Sequence, residues 1–188
     1  MKMLLLFCIR VILCSPLLVI ATDTYAQHLI PAKNSTVEFR VYNHKDGNDL
    51  ARGLFPITKG NIIFNPKQLN KSSFDVVLNA ADISTSNKEV NKSLESKLFL
   101  SAATYPEIRI KSTSITSDGS VVYILHGNLT LKGITKPVDI QFTATPMGNG
   151  YLFRGSFRIN RLTYNVGEKG DIDDMVTLFV ELRTEKAK

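Results

Sequence analysis

VVYILHGNLTLKGITKPVDIQFTA, residues 121–144, is the stretch whose reading decides the fold. Its first arm places Tyr123, Leu125, Gly127, Leu129 and Leu131 on one parity, with His126, Asn128, Thr130 and Lys132 on the other. The second arm alternates Val138, Ile140, Phe142 and Ala144 with Asp139, Gln141 and Thr143. A period of two puts each set on its own face of a sheet. Lys132-Gly133 supplies the turn between the arms, because glycine tolerates the positive φ of a tight hairpin. Pro137 has no N–H to donate and belongs at the start or edge of the returning strand. A sheet with one apolar face must cover it, and what covers it bears on function.

The same alternation runs outward in both directions. Val37, Phe39 and Val41 alternate with polar neighbours, and Gly53-Leu54-Phe55 leads through Pro56 into a short strand that ends at Phe64-Asn65-Pro66. Phe74, Val76 and Leu78 mark the next strand, and Ile108 and Ile110 another after the breaker Tyr105-Pro106. Beyond the hairpin, Gly148-Asn149-Gly150 turns into Phe153, Gly155, Phe157 and Ile159, and the last strand carries Val176, Leu178, Val180 and Leu182. About eight or nine strands at this spacing predict an all-β sandwich or closed barrel. Residues 88–100, KEVNKSLESKLFL, break the rule. Val90, Leu94, Leu98 and Phe99 recur at helical spacing behind a Ser86 or Asn87 cap, which predicts an amphipathic helix of about three turns. Its apolar stripe is expected to plug or lid the sheet. Closing eight strands leaves an interior that either fills with side chains or holds one small ligand, and composition leaves both open.

The first residues read as a targeting segment. Lys2 and Arg10 frame a basic start, residues 11–21 are apolar, and Thr24-Tyr25-Ala26 offers a small-x-small cleavage site before Gln27. That pattern predicts a secretory signal peptide over 1–26, a lead-in over 27–35 and one exported domain over 36–184. Both cysteines, Cys8 and Cys14, fall in the signal segment. The mature chain is then without thiol catalysis, cysteine-metal sites or disulfides.

The formal charge of +6 is spread singly along the polar parity of the strands. This describes a solvated basic surface suited to transient contact with a membrane surface, and no basic helix or aromatic platform for nucleic acid is present. His28, His44 and His126 do not cluster with other metal-type ligands, and the knot Asp171, Asp173, Asp174 lacks the spacing of a calcium loop, so no metal is expected. No nucleophile elbow, phosphate loop or dinucleotide fingerprint occurs, and no serine or threonine is marked as activated. A non-enzymatic role follows.

The ordered motifs resemble one family. Gly53-x-Phe55 with Gly60-Asn-Ile-Ile-Phe64-Asn-Pro, then Tyr105-Pro-Glu-Ile108 before Ser112, then Gly127-Asn-Leu129-Thr-Leu131-Lys-Gly133-Ile-Thr-Lys-Pro137, then Phe157 to Gly167, resemble the successive signatures of the YceI-like family. The resemblance implies a lipocalin-like antiparallel eight-stranded β-barrel with one capping α-helix, exported to the periplasm. It implies an apolar cavity for an isoprenoid or similar amphiphilic lipid, such as a quinone or polyprenyl phosphate, and no other cofactor. The cavity wall would then be Phe39 and Val41, Phe55 and Phe64, Val76 and Leu78, Leu94 and Leu98 of the helix, Ile108 and Ile110, Leu129 and Leu131, Ile140 and Phe142, Phe153 and Phe157, and Leu178. His44, Arg161 and Tyr164 stand where they could meet a head group, although Arg161 is better suited to satisfying backbone carbonyls at the rim. Two departures stand out. Many members carry Arg-Asp-x-His-Leu where this chain has Val90-Asn91-Lys92-Ser93-Leu94, and Asn165 stands where glycine is common. The rival reading is a solid-core envelope module that binds another protein and no lipid. The oligomeric state, monomer or dimer, is left open.

Overall fold

The computed structural model describes residues 27–187, so the expected signal peptide and both cysteines lie outside the described residues. Ten antiparallel strands form one sheet: β1 (Gln27–Pro31), β2 (Thr36–Asn43), β3 (Asp49–Pro56), β4 (Lys59–Phe64), β5 (Ser73–Asn79), β6 (Glu107–Ser117), β7 (Val122–Leu131), β8 (Ile134–Met147), β9 (Gly150–Asn160) and β10 (Ile172–Lys186). Among the described residues a single α-helix, α1 (Lys88–Glu95), interrupts them. The sheet runs β1-β4-β5-β6-β7-β8-β9-β10 and closes through β1 on β10. β2 continues the line of β1 along β10, with Pro31 opposite Thr184 and Thr36 opposite Glu181. β3 lies beside β2 as β4 lies beside β1. The result is a closed eight-stranded antiparallel barrel.

The lead-in expected over 27–35 contains a strand, β1. Leu29 is wholly buried, and its strand pairs with both β4 and β10, so this short segment is the seam of the barrel. Five residues ending in proline give too brief an alternation to read as a strand. The break before β2 is held by Ser35, whose hydroxyl donates to the carbonyls of Ala32 and Arg183.

The deciding hairpin forms as its pattern requires, with β7 and β8 in register from Val122–Thr143 to Leu131–Ile134. Lys132 and Gly133 both have positive φ, 49° and 74°, the mark of the mirror-image turns that match strand twist. β6 is less regular. A bulge between Ser112 and Ser114 shifts its register, and Ser112 Oγ accepts the freed N–H of Phe74. The extra residue flips the parity, so Ile115 points inward after Ile108 and Ile110.

The helix is shorter than its periodicity suggests. Asn87 caps it by accepting from the N–H groups of Glu89 and Val90, but the helix stops at Glu95. The chain then curls so that the N–H groups of Leu100 and Ala102 bond back to the carbonyls of Leu94 and Glu95. Ser101 takes a positive φ of 52° within this curl. Leu98 is turned outward by it, while Leu100 is buried.

β3 meets the segment before α1 through one bridge, in which Leu54 and Ser84 exchange both backbone hydrogen bonds. Gly53 makes that approach feasible. A Cβ there would lie 2.7 Å from both the Phe39 ring and the Ser84 carbonyl. The wall therefore parts at this end between β3 and β5, and α1 with its flanking turns fills the gap.

Candidate functional site

The interior has two unlike halves. One is filled by aromatic rings. Phe64, near-totally buried, sits with its centroid 5.1–6.3 Å from the rings of Tyr151, Phe153, Tyr123, Phe74 and Phe142, all steeply tilted to it. Edge-to-face packing of this kind adds about 0.5–1.5 kcal/mol per pair beyond area burial. This half is a solid plug.

The other half is hollow. A cavity of about 370 Å³ lies beneath α1 and is lined almost wholly by aliphatic and phenyl groups. Inward-facing residues of the strands make its walls: Phe39 and Val41 on β2, Ile108 and Ile110 on β6, Leu129 and Leu131 on β7, Phe157 and Ile159 on β9, Val176 and Leu178 on β10. Val90 and Leu94 of α1 form a roof, helped by Phe99 and Leu100 from the curl behind it. Leu50 is 48% exposed and Ser93 is exposed as well, so the mouth lies between the β3 end and the helix. A second hollow of about 60 Å³ lies toward the plug, among Phe74, Phe142, Phe153 and Leu125. Val37, Leu78, Ile108 and Ile110 line both hollows and form the partition between them.

Polar side chains on the wall are few. Ser93 stands at the mouth, and Arg161 reaches the cavity from the rim. Arg161 is 3% exposed, and its guanidinium donates to four backbone carbonyls, those of Asp173, Val166, Glu168 and Ile172, each at 2.9 Å. Asp174 adds a longer contact at 3.4 Å. This arginine is the hub of the segment joining β9 to β10. Asn165 supports the same corner with a φ of 55°, in a region that asparagine enters more readily than most residues. Lys132 ties the corner to the helix side, donating to the carbonyls of Leu98 and Asn165 at 3.1 and 2.6 Å. Burial holds its ammonium pKa below the usual lysine range.

The expected wall residues divide between the halves. Phe39, Val41, Phe55, Leu78, Leu94, Ile108, Ile110, Leu129, Leu131, Phe157 and Leu178 line the large cavity. Val76, Ile140, Phe142 and Phe153 line the small hollow instead. Phe64 lines neither and forms the heart of the plug. Leu98, 49% exposed, is outside the cavity, because the helix ends a turn before it. His44 is exposed on the turn after β2, away from the lining. Tyr164 is buried behind the wall, and its burial raises the phenol pKa. Of these three candidates for head-group contact, only Arg161 touches the cavity.

Sequence reasoning missed Ile83, Val166 and Ile172 as wall residues. Ile83 and Val166 sit in connecting segments and Ile172 opens β10 ahead of its register shift, so no periodicity marks the inward direction. On the outer face, His126 lies between Asp139 at 2.7 Å and Thr116 at 3.1 Å, an exposed cross-strand trio that lines neither hollow.

Residues 29–184 match the YceI-like domain, which spans nearly all of the described barrel. The chain belongs to the YceI-like family. Among relatives, a UPF0312 protein of Yersinia pestis is 33% identical over 132 residues, a match covering 68% of this chain and 66% of the relative. Another, from Pseudomonas savastanoi pv. phaseolicola, is 28% identical over 162 residues and is covered to 83%, as is this chain. Solved structures share the YceI-like fold. BcnA of Burkholderia cenocepacia superposes with a TM-score of 0.71 at 24% identity, over 79% of this chain and 94% of that one. A polyisoprenoid binding domain from Saccharophagus degradans, implicated in plant cell wall breakdown, gives 0.64 at 11% identity, over 86% of this chain and 99% of that one.

Proposed function

We propose that this YceI-like protein is an exported, non-enzymatic binding protein that holds an isoprenoid or similar amphiphilic lipid inside the barrel. The observation that carries this reading is the 370 Å³ apolar cavity under α1. Polyisoprenoid binding by the Saccharophagus domain of the same fold supports it. Each methylene moved from water into such a cavity contributes about 0.8 kcal/mol, offset by the costs of ordering and association. The basic leader pattern of residues 1–26 supports export, with the periplasm as the site of action. The scattered positive charge suits brief contact with an anionic bilayer during loading or release.

The hollow half of the barrel weighs against the solid-core alternative, which offers no reason for an unfilled interior. The test is extraction of the natively purified protein with organic solvent, followed by mass spectrometry. A reproducible stoichiometric lipid that disappears when Leu131 and Val176 are both replaced by Phe supports the reading. A clean extract, together with no uptake of any added isoprenoid alcohol, would overturn it.

A further inference from the structure

The pairing of β9, β10, β2 and β3 gathers charges that the sequence keeps apart. Of the chain's eight arginines, five stand on the outer face of these strands: Arg40, Arg52, Arg154, Arg158 and Arg183. Three fall on one cross-strand row, in which Arg158 is opposite Thr177, Thr177 opposite Arg40, and Arg40 opposite Arg52. With strands about 4.8 Å apart, the row spans about 14 Å. The next row runs Ser156, Phe179, Glu38, Leu54, and there Phe179 and Leu54 are 37% and 42% exposed. We propose that this face docks on the phosphate head groups of an anionic bilayer, with the cavity mouth at its β3 edge. The proposal rests on the reading of brief bilayer contact and names the surface that makes it.

The row is costly in the protein alone. Like charges directly opposite each other across an antiparallel pair destabilise it. Arg40 is compensated, donating to Glu38 at 2.6 Å and lying 4.8 Å over the Phe179 ring. Arg154 donates to Glu181 at 3.0 Å, and Arg183 donates to the same carboxylate. Arg52 and Arg158 are exposed and, among the described residues, have no ion pair or hydrogen-bonded side-chain partner. The row thus holds three guanidinium groups and no carboxylate, a repulsion that an external anion relieves. The planar fork of arginine matches phosphate oxygens in pairs.

Two observations select a bilayer as the source of that phosphate. Interfacial binding grows with buried apolar area together with attraction to anionic lipid, and Phe179 and Leu54 offer that area beside the arginines. Placement is the second. β3 carries Arg52 and Leu54, and near its start Leu50, 48% exposed, lines the mouth. A membrane against this face therefore borders the opening. An acidic protein would match the charge without explaining the placement, and a second copy would set the face against its own charge.

The experiment cosediments the purified protein with vesicles of phosphatidylcholine alone and of phosphatidylcholine mixed with phosphatidylglycerol. Binding is expected to the mixed vesicles only, and to weaken as salt rises. Each basic residue near an anionic surface changes partitioning about fivefold, so Arg52→Gln with Arg158→Gln should weaken binding about twentyfold to thirtyfold. The same loss of charge on the far wall, Lys71→Gln before β5 with Lys111→Gln on β6, should cost less than about threefold. Arg52→Gln should leave the urea midpoint level or raise it, because it relieves Arg40, so that lost binding is not lost folding. Equal losses in the two double variants would overturn the docking face. Failure to bind the mixed vesicles at low salt, or soluble polyglutamate bound as tightly as those vesicles, would do the same. Solvent extraction of the same samples keeps the two readings apart: a recovered lipid leaves cavity binding standing whatever the vesicles show.

Discussion

Replacing Arg161 by Met removes a cation at the rim while keeping an apolar stem against the cavity. Four carbonyls, on Val166, Glu168, Ile172 and Asp173, lose their donor at once. A hydrogen bond to a charged group contributes about 1.5–3 kcal/mol, but carbonyls near the rim recover part of that from water. A loss of about 4 kcal/mol is expected, a large fraction of the stability of a domain this size. Urea unfolding of the delipidated protein measures it. Arg161→Lys, with a compact ammonium in place of the planar fork, should recover less than half. The same variants separate a structural role from head-group recognition. A rim hub predicts that farnesol and farnesyl phosphate weaken by the same factor, because the wall around Val166 and Ile172 loosens for both. A stability change below about 1 kcal/mol, or a loss confined to the phosphate ester, would refute the reasoning.

Two further changes probe the frame around the site. Asp75 on β5 is gripped by Arg109 on β6 at 2.7 and 2.5 Å, and this hydrogen bonding holds the carboxyl below its ordinary pKa. A depressed carboxyl stabilises the fold above its unfolded value of about 3.9 and loses that contribution as pH falls through the folded value. The urea midpoint of the wild type should therefore drop more steeply than that of Asp75→Asn as pH falls from about 5 to 2.5, with the gap shrinking in high salt. Parallel curves would show that the pair contributes nothing. Asn87→Ala removes the cap that accepts from Glu89 and Val90, at a cost of about 1 kcal/mol. Since α1 roofs the cavity, the variant should also release farnesol faster. Hydrogen exchange at Val90 and Leu94 that matches the wild type would count against that role.

Strand positions and the inward face were legible because period two records them directly: Leu129 and Leu131 are buried as their parity requires. What escaped the pattern has local causes. Ile115 points inward only because the bulge at Ser112–Ser114 resets the parity. Leu98 kept helical spacing with Leu94 but lies past the helix end, where backbone bonds rather than side-chain periodicity direct the chain. Arg161 was recognisable as a rim residue, yet its four acceptors lie across a loop whose path no spacing rule describes. The division of one phenylalanine-rich parity into plug and wall was beyond the pattern too, since Phe64 and Phe157 alternate alike. They differ in their neighbours across the barrel, and that depends on the stagger of closure.

That division also explains how the barrel tolerates a hollow. An apolar hollow that is left unfilled forgoes packing in proportion to its size, and its wall offers water few polar partners for hydrogen bonds. The interlocked rings around Phe64 concentrate packing at the opposite end, where the β1 seam joins β4 and β10. Stability is thus gathered in one half, which leaves the other free to be shaped by what enters it. A tail that fills the hollow removes the cavity cost at the moment of binding, so occupancy and stability are linked. An apolar guest would complete the core on that side, where Val90 and Leu94 of α1 roof the hollow.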